Sequence, residues 1–142
     1  MAKGTVRKAC YSRKATAVRS IEKIFSRANM TDNAGTATGY IDFVEQIPAN
    51  SLVVGWKCVT SLGFTGDTTA VIQVGKSGAL TVYSTTTTGS VLAAGTVGSA
   101  SVLATSFEAA AVTPRVTITG GADFTSITAG TATVTLYYIP LE

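Results

Sequence analysis

The chain has 142 residues, 46% of them hydrophobic and only 13% charged, with a net charge of +3 and no histidine. That length suits one domain with a substantial core. The hydrophobic share excludes a wholly disordered chain, and the lack of histidine excludes Ser/His/Asp and Cys/His catalysis.

The charge is unevenly spread. Residues 1–30 hold eight basic side chains against Glu22, a balance of +7; the remainder holds Lys57, Lys76 and Arg115 against seven carboxylates, a balance of −4. A basic arm on a mildly acidic body is an electrostatic handle for an anionic partner: nucleic acid, an acidic protein surface, or the body of a neighbouring copy.

Residues 1–14 interleave Lys3, Arg7, Lys8, Arg13 and Lys14 with small residues and show no period, which reads as an irregular arm. Over Thr16–Ala28, Val18, Ile21, Ile24 and Phe25 fall at offsets 0, 3, 6 and 7, with Arg19, Glu22, Lys23 and Arg27 on the other side. That spacing predicts a short amphipathic helix. A helix this brief does not hold itself in water, so its apolar stripe needs the body or a partner. An extended arm lying along a neighbouring subunit is the alternative. The expected partner-binding residues of the arm are Lys3, Arg7, Lys8, Arg13, Lys14, Arg19, Ile21 and Phe25. Residues 29–39 form a polar, glycine-containing linker. They divide an arm and linker (1–39) from a body (40–142), and removal of residues 1–30 is expected to leave that body folded.

From Tyr40 the hydrophobic period becomes two. Tyr40–Glu45 reads as a strand with Ile41 and Phe43 on one face, followed by a turn around Pro48 and Asn50. Leu52–Ser61 is the next strand, its core face expected to be Leu52, Val54, Trp56, Cys58 and Thr60. Thr68–Val74 and Ala79–Ser84 read as strands flanking a tight Gly75–Gly78 connection. Thr85–Ala100, uncharged and rich in Thr, Gly, Ser and Ala, reads as a loop with at most one short strand. Ser101–Glu108 and Val112–Thr119 follow, with Pro114 expected at an edge or bulge. Thr131–Ile139 alternates most cleanly, with Val134 and Leu136 on the core side. About eight short strands separated by turn signals predict an all-β fold. The architecture expected is an antiparallel jelly-roll-like β-sandwich around Trp56, with an N-terminal basic arm carrying a short helix.

No chemistry-bearing constellation stands out. Asp32, Asp42, Glu45, Asp67, Glu108 and Asp123 are scattered one or two to a segment, and Asp42 and Glu45 would face opposite sides of a strand. Cys10 and Cys58 do not have metal-ligand spacing; Cys58 reads as a buried small hydrophobe. Gly75-Lys76-Ser77 resembles the end of a phosphate loop, but Ala70 stands where its first glycine belongs, so a hairpin turn is expected. Among the basic residues Tyr11 is the sole aromatic before Phe25, which provides no stacking platform for specific nucleic-acid binding. The sequence thus predicts no enzyme, no metal and no cofactor. No secretory leader is evident, and no apolar run approaches the ~18 residues of a membrane span.

The run Ile47-Pro48-Ala49-Asn50-Ser51-Leu52-Val53-Val54-Gly55-Trp56 resembles a strand entry in small structural proteins of tailed bacteriophages. The loop Gly63-Phe64-Thr65-Gly66-Asp67-Thr68-Thr69-Ala70 with Val71–Gly75 is similar to the next hairpin of that group. Arg115–Thr119, Gly120-Gly121, Phe124, Thr128-Ala129-Gly130 and Val134–Ile139 resemble its closing strands. The likeness spans roughly residues 40–140 and implies a capsid decoration (cement) protein of the β-sandwich type. Such a protein sits on the virion surface, binds the major capsid protein, is often a homotrimer, and is made in the host cytoplasm. Arm contacts to neighbouring copies fit the same picture. The alternatives are a tail or fibre adaptor and a carbohydrate-binding module, the latter needing exposed aromatics from among Tyr137, Tyr83 and Tyr40.

Overall fold

The computed structural model describes residues 17–84, 89–100 and 106–141. Among these, nine strands build two antiparallel sheets. They are β1 (Arg19–Ser26), β2 (Thr31–Asp32), β3 (Thr38–Asp42), β4 (Ser51–Thr65), β5 (Ala70–Lys76), β6 (Gly95–Ala100), β7 (Phe107–Glu108), β8 (Pro114–Gly120) and β9 (Ala129–Pro140). One sheet has the order β1-β9-β4-β6, with β7 also on β4; the other has the order β2-β3-β8-β5. Apart from the short pairs β2/β3 and β6/β7, each strand lies in the opposite sheet to its predecessor, which is jelly-roll winding.

The core lies between the sheets. Val134 and Leu136 of β9 are fully buried, as are Ile72 and Val74 of β5 and Val116 and Ile118 of β8. Trp56 and Cys58 of β4 join them, and burial pushes the Cys58 thiol up to about 11 against a smaller opposing effect of the Thr60 hydroxyl. The core face of β4 is not one unbroken alternation. Val53 pairs with Tyr138 and Gly55 with Tyr137, leaving Val54 as an extra residue at a bulge. The bulge reverses the phase. Val53 is therefore buried while Leu52 and Val54, expected in the core, are half-buried.

The turn before β4 follows from its residues. Ile47 is fully buried and exchanges backbone hydrogen bonds with Val112. Asn50 takes a positive φ of 56°, a conformation that asparagine tolerates better than most residues.

Four expectations are corrected. Arg19–Ser26 is a strand, not a helix: it pairs with β9 from Arg19↔Tyr138 to Ser26↔Thr131. Ile21 and Phe25 face the core, and Phe25 lies 6.1 Å from Phe64 between ring centroids. Val18 and Ile24, the other half of the expected helical stripe, are exposed. An eight-residue ladder with two large side chains buried outweighs the propensity of a segment too short for a stable helix. The boundary at residue 39 moves accordingly, because β1, β2 and β3 are all parts of the sandwich.

Ala79–Ser84 is not a strand. It runs beside β5 in turns, where the Tyr83 and Ser84 N–H groups both donate to the Val74 carbonyl. The Val74 N–H donates to Ser84 Oγ at 2.9 Å, so a side chain takes the place of a ladder partner. Pro114 opens a central strand and does not mark an edge or a bulge. The first position of a strand is one where a residue without an N–H is tolerated.

Candidate functional site

Three local arrangements hold charged side chains in fixed places. At the end of β5, Lys76 Nζ donates to both Glu108 oxygens at 2.9 and 2.7 Å, and Tyr83 Oη donates to Glu108 Oε1 at 2.6 Å. Glu108 and Tyr83 are buried, and burial with the adjoining carboxylate pushes the Tyr83 phenol well above its ordinary range. The cluster ties β5 of one sheet to β7 of the other. At the end of β3, Arg115 forms a two-pronged pair with Asp42 at 2.6 and 2.9 Å. Its guanidinium lies 3.8 Å from the centroid of the Tyr40 ring.

At the opposite end of the sandwich the Asp67 carboxylate accepts from the backbone N–H groups of Thr68, Gly121 and Ala122 at 2.6, 2.9 and 3.0 Å. It thereby joins the β4–β5 loop to the β8–β9 loop. The Ala122 N–H is the largest influence holding this carboxyl below its ordinary 3.8; desolvation opposes it, and the Thr68 and Gly121 N–H groups add to it. A carboxylate with a depressed folded value stabilises the fold above its unfolded value and loses that contribution as pH falls through the folded one. An Asp67→Asn variant should therefore unfold at a lower temperature than wild type near neutrality. The gap between the two should close as pH drops below 3.8, which thermal unfolding followed by circular dichroism across that range would register.

Each of these arrangements ties parts of the sandwich together through hydrogen bonds or ion pairs. Among the described residues no three His, Cys, Asp or Glu side chains gather as metal ligands, and no helix is long and apolar enough to cross a membrane. The aromatics needed for carbohydrate stacking do not share a face. Tyr83 is buried, Tyr40 is covered by Arg115, and Tyr137 is half-buried on the other sheet.

What the molecule does offer is a broad outer face on the β1-β9-β4-β6 sheet. The register sets its side chains in rows across the strands. One row is Ile24, Thr133, Val59 and Thr96; the next is Glu22, Thr135, Lys57 and Gly98; the third begins Ser20, Tyr137, Gly55. Ile24 is 67% and Val59 39% exposed. At the Tyr137 end an open groove of about 620 Å³ is lined by Val18, Val54, Gly55, Lys57, Gly98 and Tyr137. The last apolar row, Ile139, Leu52 and Phe107, lies beyond it. Among the described residues its rows carry no charge apart from Glu22 and Lys57.

Of the residues expected to bind partners, Lys3, Arg7, Lys8, Arg13 and Lys14 lie outside the described residues. Arg19 is exposed at the start of β1. Ile21 and Phe25 are 4% and 2% exposed and belong to the core, because the strand period turns them inward. Trp56, Val134 and Leu136 are buried and Val54 is half-buried. The rows on the outer face and the Lys76–Glu108–Tyr83 cluster went unpredicted. Both depend on which strands become neighbours, and no local pattern carries that information.

No protein-family model and no curated protein matches the chain. Two solved structures share its fold. A chain in the cyanophage Pam1 capsid asymmetric unit aligns with a TM-score of 0.54 and 16% identity, over 87% of this chain and 85% of that one. A chain in the capsid of Ralstonia phage GP4 aligns with a TM-score of 0.56 and 18% identity, over 89% of this chain and 86% of that one. At such identities the likeness is one of fold: the jelly-roll sandwich, nearly end to end.

Proposed function

We propose that this chain is a bacteriophage head decoration (cement) protein. It binds the outer capsid surface, with the major capsid protein as its partner, and stabilises contacts between neighbouring coat subunits. The observation that carries this reading is the near-full-length fold similarity to chains from two phage capsids. The sequence resemblance around Ile47–Trp56 points the same way, and it adds the expectation of a trimer. The physical character of the molecule suits the role. A charge-poor Thr/Ala/Gly exterior desolvates at little cost, as subunit contacts require. The basic residues Lys3, Arg7, Lys8, Arg13 and Lys14 supply charge for an acidic coat surface ahead of β1. Many copies on one lattice make weak individual contacts collectively strong.

The test is addition of the purified protein to phage heads that lack it. Bound heads should withstand a higher temperature and a lower ionic strength before releasing DNA. Heads that neither bind the protein nor gain resistance would overturn the proposal.

A further inference from the structure

The outer face of the β1-β9-β4-β6 sheet has a pattern that its own copy can match. Strand β9 lies midway between β1 and β4, about 4.8 Å from each. A two-fold axis lying in the interface along β9 keeps each row in place and exchanges its two ends. Glu22 of one copy then lies over Lys57 of the other, and Lys57 over Glu22. The same operation sets Ile24 against Val59, and Ser20 against Gly55. It also puts Thr133, Thr135 and Tyr137 on or beside the axis, each facing its own counterpart.

All three rows agree: opposite charges meet, exposed apolar groups meet, and a small residue meets a glycine. Within one chain neither Glu22 nor Lys57 forms an ion pair among the described residues. They stand two strands apart, about 10 Å, too far for a direct contact. Packed sheets commonly cross at about 30°, and at one strand from the axis this displaces side chains by roughly 3 Å. That is under half the spacing of successive rows, so the matching survives the twist.

We infer that this face is a self-complementary docking surface whose occupant is the same face of a second copy, joined by reciprocal Glu22–Lys57 pairs about β9. The inference does not depend on the phage reading. It is also separate from any three-fold contact, since it doubles the mass of whatever unit the protein otherwise forms. The patch spans three strands and three rows and is smaller than a standard stable interface. The contact is therefore weak and concentration-dependent in solution.

Full-length wild type, Glu22→Lys and Lys57→Glu should be followed by sedimentation velocity at low salt over a wide concentration range. Circular dichroism would check that each exposed-site variant is folded. Wild type should double in mass as concentration rises. Each single variant places like charges together twice per pair and should raise the dissociation constant by about tenfold or more. An equimolar mixture of the two variants restores both opposite-charge pairs, so it should associate at least as tightly as wild type. The double variant should also regain association by itself. The inference is overturned if wild type does not double, if the single variants double as wild type does, or if the mixture stays as weak as its components.

Discussion

Removing residues 1–16 should leave a protein that unfolds cooperatively, whereas removing residues 1–30 should leave one that does not fold. The second deletion takes all of β1 and with it the buried side chains of Ile21, Phe25 and Met30. Emptying one such site typically costs about 2–5 kcal/mol. Three together are on the order of 10 kcal/mol, comparable with the whole stability of an ordinary domain. The loss also uncovers the edge of β9 from Thr131 to Tyr138, in a strand without charge from Ala129 to Pro140, which invites edge-to-edge aggregation. Far-UV circular dichroism and thermal unfolding of the two truncations would separate the outcomes. Wild-type-like unfolding of the longer truncation would contradict the placement of β1 in the sheet. The same comparison isolates the basic residues ahead of β1, because the shorter truncation removes five of them and spares the fold.

Replacing Glu108 should produce the largest loss from a single polar side chain. Its carboxylate satisfies both Lys76 Nζ and Tyr83 Oη, and Tyr83 is 1% exposed. A Glu108→Ala change strands the Lys76 ammonium and takes the carboxylate away from the buried Tyr83 phenol. Breaking a buried ion pair from one side costs about 3–5 kcal/mol. The Lys76 side chain is 31% exposed and recovers some hydration, which favours the lower end, about 3 kcal/mol. For a chain of this length that corresponds to a fall of roughly 10 °C in Tm. Tyr83→Phe should cost less, about 1–2 kcal/mol, since it deletes the hydrogen bond to Glu108 and leaves the ion pair. A double-mutant cycle of Lys76→Met with Glu108→Gln, read by denaturant unfolding, would measure the coupling. A Glu108→Ala protein as stable as wild type would show that the cluster contributes nothing.

The strands that cross the middle of their sheets were the most legible from sequence. In β9, Ala132, Val134, Leu136 and Tyr138 alternate without interruption, because the strand is flanked on both edges and packed on one face. Most of β4 was legible for the same reason, until the bulge at Val54 moved its first residues out of phase. A bulge adds one residue without altering composition, so the pattern of apolar residues does not disclose it. Peripheral segments were harder. The spacing of Val18, Ile21, Ile24 and Phe25 fits a helical face, yet Ile21 and Phe25 are also on one side of a strand with Lys23 between them. The choice between the two was made by β9, more than a hundred residues later. Ala79–Ser84 has strand-like composition but bonds to β5 through Ser84 Oγ and shared carbonyls. The outer-face rows were illegible for a different reason: Glu22, Thr135 and Lys57 are unremarkable singly and become a pattern only when register aligns them.

The pairing of β1 with β9 has a consequence for synthesis. The β1-β9-β4 arrangement places the last-made strand between two made earlier. While β9 is still inside the ribosome, β4 can pair with β6 and β7, but β1 has no strand to join. A topology so dominated by distant pairings folds slowly, and its incomplete states expose strand edges. The outer face, which needs β1, β9 and β4 in register, comes into being only once β9 has joined the sheet. Chains in which β9 has not yet been made therefore lack the surface on which copies would recognise one another.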